Sequence, residues 1–302
     1  MFISAFTFGE IIHSNLEDLL FYAPGIWNIL YCRKDKIAWL NPQPAEEDIP
    51  KLYENYPTHS SDFEPPTPNY SLFNLLKSKL KKIILSLTFG YDDILKWLPK
   101  GKLLDVGCGN GQFLSVMRQN GYSVYGVEPD HESAKIAKNK FGIPVVVGSI
   151  FDANFESSYF DAITMNHVIE HLINPIEVLQ KCKRLLKMGG RILIFTPNIE
   201  SLGHRIFGNS WRGLEPPRHL YIFSKNSLSR IVERANFRIE RIRTVCRDAK
   251  AIWIESRRLK IKNELNSRLQ IEGKIFQFTE RMLRIFSDDL GEEIMLAATP
   301  NL

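Results

Sequence analysis

The residues Leu103 to Leu114 read LLDVGCGNGQFL, and their order suits the binding of a small charged ligand. An apolar run leads into Gly107, Gly109 and Gly111, and a helix-forming stretch follows directly. Glycines suit such a turn because it is tight and because a ligand approaches the backbone where no Cβ intervenes. The amides at the start of the following helix then face an anionic group. A dinucleotide pyrophosphate asks for GxGxxG; here the spacing is GxGxG and Gln112 stands in place of the third glycine, which weakens that reading. Asp105, two residues ahead of the first glycine, would repel a phosphate but would favour a cationic amino acid. S-adenosylmethionine carries both an ammonium and a sulfonium group. Glu128 follows about twenty residues on, where an acid can take two ribose hydroxyls.

Four histidines offer proton chemistry, since the imidazole titrates near neutrality: His167, His171, His204 and His219. His171 is either a base or a helix-start histidine satisfied by backbone. His219, in PRHLYIFS, either lines an acceptor pocket or anchors its loop. For His204 only its loop position speaks. His167, Glu170 and His171 stand at i, i+3 and i+4, so on one helix face they could meet a metal ion. Three ligands from one turn rarely suffice without a further shell, so no metal is expected. Trp211, Tyr221, Phe223 and Trp253 either cover an acceptor pocket or form ordinary core.

The elements that must position these residues follow from periodicity. Strand-like runs cover Lys102–Val106, Ser123–Val127, Val145–Val147, Ala162–Met165 and Arg191–Phe195. Amphipathic stretches such as Glu132–Phe141 and Pro175–Lys187 lie between them. Alternation of strand and helix predicts an α/β fold, a doubly wound, mostly parallel sheet. Arg238–Thr244 and Glu293–Thr299 add two strands and make it seven-stranded. Met188–Gly189–Gly190 reads as a turn whose glycine caps a helix. Residues 248–290, basic and helical in pattern, read as an insertion before the last strand. Residues 1–70 read as an N-terminal extension closed by the proline-rich PTHSSDFEPPTP, residues 57–68, and a helix is expected from Ser71.

Composition bounds the rest. With 302 residues, 44% hydrophobic and 24% charged, the chain suits one large α/β domain plus a smaller unit. A net charge of +5 is mild and spread out, so no nucleic-acid partner is expected. The basic runs Lys77–Lys82 and Arg257–Lys262 read as solvated faces, with docking of the Ser71 helix to a membrane surface as a lesser alternative. Cys32, Cys108, Cys182 and Cys246 form no CxxC pair. No apolar run approaches the roughly 20 residues needed to cross a bilayer. Met1 to Ile12 lacks a cationic start and contains Glu10, so a cytoplasmic location is expected.

LLDVGCGNGQFL, YGVEPD, YFDAITMNHVIEHL and LLKMGGRILIFTPN together resemble the class I S-adenosylmethionine-dependent methyltransferases, a Rossmann-like fold. The similarity is greatest to the group holding the ubiquinone-biosynthesis-like O-methyltransferases. The resemblance implies that Asp105 and the turn of Gly107, Cys108, Gly109 and Gly111 hold the methionine part. It places Glu128 at the ribose, with Pro129 after it among the cofactor-binding residues, Ile150 at the adenine and Asn166 on the sulfonium side. At Ser149 the family often has an acid, so this chain departs there. In some ubiquinone-pathway relatives the place of His167 to His171 reads Glu-x-x-Glu-His and holds a divalent ion; here histidine replaces the first acid. LEDLLFYAPGIWNILYC and the residues after it resemble a leader in methyltransferases encoded with glycan-assembly enzymes. Many such leaders have a cysteine pair; Cys32 stands without the second, so no zinc is expected. EPPRHLYIFS resembles the acceptor-side segment. The implied function is methyl transfer to a hydroxyl of a small-molecule or glycan-type acceptor, with His171 and His219 as catalytic candidates. His171 comes first because it follows the fourth strand, on the side where the methyl should point. An RNA or protein methyltransferase and a non-catalytic binding module are the alternatives.

Overall fold

A computed structural model of the chain describes residues 9–53, 95–261 and 267–301. The linker 57–68, the helix expected from Ser71 and the lysine run at 77–82 lie outside the described residues. Two compact units are present, one drawn from 1–55, 165–183 and 194–302, the other from 56–164 and 184–193.

In the second unit, β4 (Lys102–Val106) is buried along nearly its whole length, as a strand covered on both faces should be. It pairs in parallel with β5 (Ser123–Glu128), and β5 with β6 (Val145–Val147). The crossovers are α1 (Gln112–Gln119) and α2 (His131–Phe141). Asp130 caps α2, its carboxylate accepting from the Ser133 amide, and Gly142 closes the helix at φ +61°. The sheet continues through β7 (Phe160–Asn166) and β8 (Leu186–Pro197) to β10 (Phe237–Val245) and β11 (Glu293–Pro300). Its order is β10-β11-β8-β7-β4-β5-β6, seven strands, mostly parallel, with β10 antiparallel to β11. This is the doubly wound sheet expected from the alternating pattern.

The expected glycine cap at Gly189 does not form. Helix α3 (Pro175–Leu185) ends earlier and the chain enters β8 at once, with Gly189 inside the strand at φ +78°. The reason is that the last carbonyls, of Arg184 and Leu185, already accept from the amides of Ser158 and Tyr159 at 2.9 Å. A cap from elsewhere in the chain leaves the glycines no carbonyl to satisfy.

The first unit holds a second sheet. Strands β1 (Glu10–Leu16), β2 (Trp27–Cys32) and β3 (Ile37–Asn41) form an antiparallel meander, and β9 (Tyr221–Phe223) pairs with β3, Ile37 opposite Phe223. Ile29, Ile37, Leu40, Tyr221 and Phe223 are buried in this unit. The remaining helices are α4 (Leu202–Phe207), α5 (Lys225–Arg234), α6 (Ala249–Ile261) and α7 (Ser267–Leu283). Ser224 and Ser227 form a reciprocal capping box at the start of α5. Helices α6 and α7 pack on each other; a Cβ at Gly273 would sit 3.0 Å from Lys250, so glycine permits the approach. No helix among the described residues is long and apolar enough to cross a membrane.

Candidate active site

The glycine turn is built by β4 and anchored on β5. Gly107 and Cys108 both donate their amides to the Val127 carbonyl, at 2.8 and 3.1 Å. Gly107, Gly109 and Gly111 have φ of +70°, +52° and +79°, a region L side chains rarely enter. Two of the glycines serve different ends. A Cβ on Gly111 would lie 2.7 Å from the Ala137 Cβ, so this glycine lets the turn close on α2. A Cβ on Gly109 would meet nothing within 4 Å, so this position faces open space.

Two buried carboxylates belong to the strands that carry the turn. Asp105 is buried and its Oδ1 accepts from the Thr164 hydroxyl at 2.6 Å. Glu128 is buried too; its Oε2 accepts from the Gly109 amide at 2.7 Å and its Oε1 from the Asp130 amide at 2.9 Å. Pro129 lies between the two elements these bonds tie together. Burial, then the charges of Asp105 and Glu128, push the Cys108 thiol far up, so it stays protonated and inert. Ser149 donates both its hydroxyl and its amide to Asp152 Oδ2, at 2.6 and 2.7 Å. The Ser149 hydroxyl hydrogen bond holds the Asp152 carboxyl below its ordinary range. The acid missing at 149 thus has a neighbour three residues on, which the spacing Ser-x-x-Asp could have revealed. Ile150 is buried beside it.

In the first unit, Asn166 ends β7, and His167 follows with φ +51°. That left-handed residue breaks the expected helical register, and only Ile169–His171 form a short 3-10 turn. His167, Glu170 and His171 therefore do not share a helix face. His167 Nε2 lies 2.8 Å from Glu293 Oε1 and its Nδ1 3.3 Å from Glu170 Oε1. Burial works against its charge, but Glu170 and Glu293 win and raise its pKa to about 10. Arg247 joins Glu293 at 2.8 Å. His167 is thus an imidazolium within an ion-pair network.

His171 has a different environment. Its Nδ1 is 3.0 Å from the Arg218 carbonyl and 3.0 Å from the Tyr53 hydroxyl. A carbonyl only accepts, so Nδ1 carries the proton and Nε2 holds the lone pair. The ring of His219 meets it edge-on, 4.7 Å between centroids. His219 is buried and donates Nδ1–H to the Gly213 carbonyl at 2.8 Å. Burial lowers its pKa to about 4, so it is neutral. Burial alone would raise Glu215, but the guanidinium groups of Arg212 and Arg218 hold its carboxyl well below the usual range. The structure does not bring His204 into this group. His204 donates to the Ile199 carbonyl at 2.7 Å and pairs with His13 of β1 at 2.8 Å; burial lowers its pKa to about 4.

The four aromatic residues are packing residues. Trp211 donates its indole N–H to Glu292 at 2.7 Å, Tyr221 and Phe223 are strand β9, and Trp253 stacks on Phe276 at 4.6 Å.

A family model described as Methyltransferase domain matches residues 80–242, more than half of the chain. The chain belongs to this methyltransferase family. An uncharacterized protein of Methanocaldococcus jannaschii is 36% identical over 97 residues, covering 32% of this chain and 45% of that protein. The ubiquinone biosynthesis O-methyltransferase of Nitrosomonas europaea is 31% identical over 114 residues, 35% of this chain and 48% of that enzyme. The chain thus spans less than half the length of these curated relatives. The crystal structure of the cyclase SpnF superposes with a TM-score of 0.50 at 20% identity, covering 74% of this chain and 83% of that one. At that identity the likeness shows the fold alone.

The fold is that of a class I methyltransferase and the cofactor is S-adenosylmethionine. The methyltransferase turn fits that group: open space at Gly109, with the buried Glu128 held by the Gly109 amide and the buried Asp105 at the end of the preceding strand, suits a ligand with an ammonium and a ribose diol. Among the described residues, two clusters bring three ligand atoms within 4.8 Å of one another: Glu170, His171 and His219, and His167, Asp248 and Glu293. His167 and His171 fall in different clusters. In the second, Arg247 already supplies positive charge to Glu293.

Proposed function

We propose that this chain moves the methyl group of S-adenosylmethionine to a hydroxyl of a small-molecule or glycan-type acceptor, with His171 as base. The observation that carries the reading is the tautomer of His171, fixed by the Arg218 carbonyl at 3.0 Å. It leaves Nε2 able to take a proton, the task a hydroxyl acceptor sets. The O-methyltransferase relatives support an oxygen acceptor.

Asp105 with Gly107, Cys108, Gly109 and Gly111 cradles the methionine part, where the Asp105 charge favours the ammonium. Glu128 and Pro129 border the ribose, Ser149 and Ile150 the adenine, with Asp152 supplying the acid, and Asn166 the sulfonium side. When bound, the cofactor supplies a methyl carbon already activated by its sulfonium leaving group. With the cofactor bound, His171 Nε2 would take the acceptor hydroxyl's proton while that oxygen displaces the sulfonium sulfur from the methyl carbon, and S-adenosylhomocysteine would be the second product. His219, neutral and fixed on Gly213, keeps a second imidazole against His171 without placing a positive charge beside it. Residues 1–70 are an extension without zinc, and 248–290 an insertion before the last strand.

The test is calorimetric titration with S-adenosylmethionine, S-adenosylhomocysteine and NAD, followed by S-adenosylhomocysteine release in a screen of sugars and phenols. Binding of both sulfur ligands, lost in Asp105→Ala, and turnover lost in His171→Ala are expected. A folded protein that binds neither sulfur ligand would sink the enzyme reading, and turnover unchanged in His171→Ala would sink the base.

A further inference from the structure

Helix α7 is apolar on two opposite faces. One face packs: Leu269 and Phe276 are buried, and Gly273 meets α6. The other holds Ile271, Ile275, Phe278 and Met282 at spacings of four, three and four, and Ile285 and Phe286 extend it past the helix end. All six are exposed, Phe278 by 65% and Phe286 by 86%. Scattered apolar side chains on a surface call for no explanation; six in one stripe do.

The charge around the stripe decides what suits it. At 100° per residue, Lys274 and Arg281 border it on one side and Arg268 on the other, all three exposed. The neighbouring acids are already paired. Glu272 meets Arg268 at 3.0 Å and Arg257 at 3.4 Å, while Asp288 and Asp289 meet Lys225 at 3.2 and 2.8 Å. The end of α6 adds exposed Lys260 and the half-exposed Arg258.

We infer that α7 and the residues following it dock on an anionic lipid surface, the apolar stripe entering the interface and the flanking cations meeting the headgroups. An apolar face with basic edges is the pattern that binds such surfaces. A second copy of the chain fits worse, because the edge of Lys274 and Arg281 is cationic while Arg268 on the other edge is matched by Glu272, so a facing copy brings no free acid to these cations. The chain's own apolar and basic stretch at 71–88 carries Lys77, Lys79, Lys81 and Lys82 and no acid, so it is no better matched in charge.

The experiment is flotation of the full chain with vesicles of equal phosphatidylglycerol and phosphatidylcholine, and with phosphatidylcholine alone. Binding to the anionic vesicles, weakened by salt and by omission of phosphatidylglycerol, is expected. The pair Phe278→Ser and Phe286→Ser should lower the bound fraction at least about tenfold, with melting unchanged because both side chains are exposed. Lys274→Gln with Arg281→Gln should lower it about fivefold or more. Absence of binding to the anionic vesicles would overturn the inference, as would binding that survives the phenylalanine pair. A concentration-dependent dimer that the same pair disperses would overturn it in favour of a second copy.

Discussion

The guanidinium of Arg218 donates two hydrogen bonds to the Asp18 carboxylate, at 2.8 and 2.9 Å, and both side chains are buried. Asp18 also accepts from the amides of Leu20, Phe21 and Ala23 at 2.9–3.1 Å, so it orders the loop after β1 while it holds Arg218. The carbonyl of this same Arg218 fixes the proton on His171. The loop after β1 and the proposed base are therefore joined through one residue.

Breaking this bidentate pair strands a buried charge. Asp18→Asn should destabilise the fold by about 3–5 kcal/mol in denaturant titration. Burial alone would raise the Asp18 pKa, but Arg218 and the loop amides bring it below 3.8. A depressed carboxyl contributes stability above its unfolded value and loses it as pH falls through the folded one. The difference between wild type and Asp18→Asn should thus start to shrink only as pH falls past about 4 and close below the depressed folded value.

Tyr53 positions His171 rather than touching the acceptor. Tyr53→Phe removes one of the two oxygens at Nδ1, so the imidazolium formed on proton transfer loses a partner. We expect turnover to fall by about tenfold or less, with KM for the acceptor and melting both unchanged. A purely structural role would lower melting and turnover together.

The glycines of the turn should separate stability from binding. Gly111→Ala drives a Cβ to 2.7 Å from Ala137 and should unfold the protein at lower denaturant, by about 2 kcal/mol or more. Gly109→Ala meets open space, so it should bring only the strain of its positive φ, about 1–2 kcal/mol. Its methyl fills the proposed cradle, and affinity for S-adenosylhomocysteine should drop by at least about tenfold, read by calorimetry.

Glu280 carries the pH response of the α7 anchor. Its Oε1 accepts from the Glu292 amide at 2.5 Å, and its Oε2 is buried with no hydrogen-bond partner among the described residues. Burial, then the charge of Glu292, raise its pKa from 4.5 to about 9. Between those values the folded state holds a proton that the unfolded state has released, so stability falls as pH rises. Glu280→Gln, neutral throughout, should flatten that slope and gain about 1–3 kcal/mol at pH 8 in thermal or denaturant melts.

What could be read from the sequence was local or buried on both faces. The glycine turn needs its residue types whatever surrounds it, and β4 and β5 read as short, mostly apolar runs. Features set by distant partners did not show. Gly189 was taken for a cap because nothing in its neighbourhood tells of Ser158 and Tyr159. The strands of residues 9–53 are short and half-exposed, and β9 joins them from far along the chain. The helix face that His167, Glu170 and His171 could share by spacing is removed by the φ of +51° at His167, which the sequence does not reveal. Glu280 and Glu292 meet only through the packing of α7 on the end strand.

Because Phe223 is the partner of Ile37, the edge of β3 has no mate until more than two-thirds of the chain has left the ribosome. During translation the nascent meander presents an open hydrogen-bonding rim that a neighbouring polypeptide on the same message could occupy. Production of this protein should therefore respond to elongation speed between Asn41 and Tyr221, with slower codons there lengthening the time at risk.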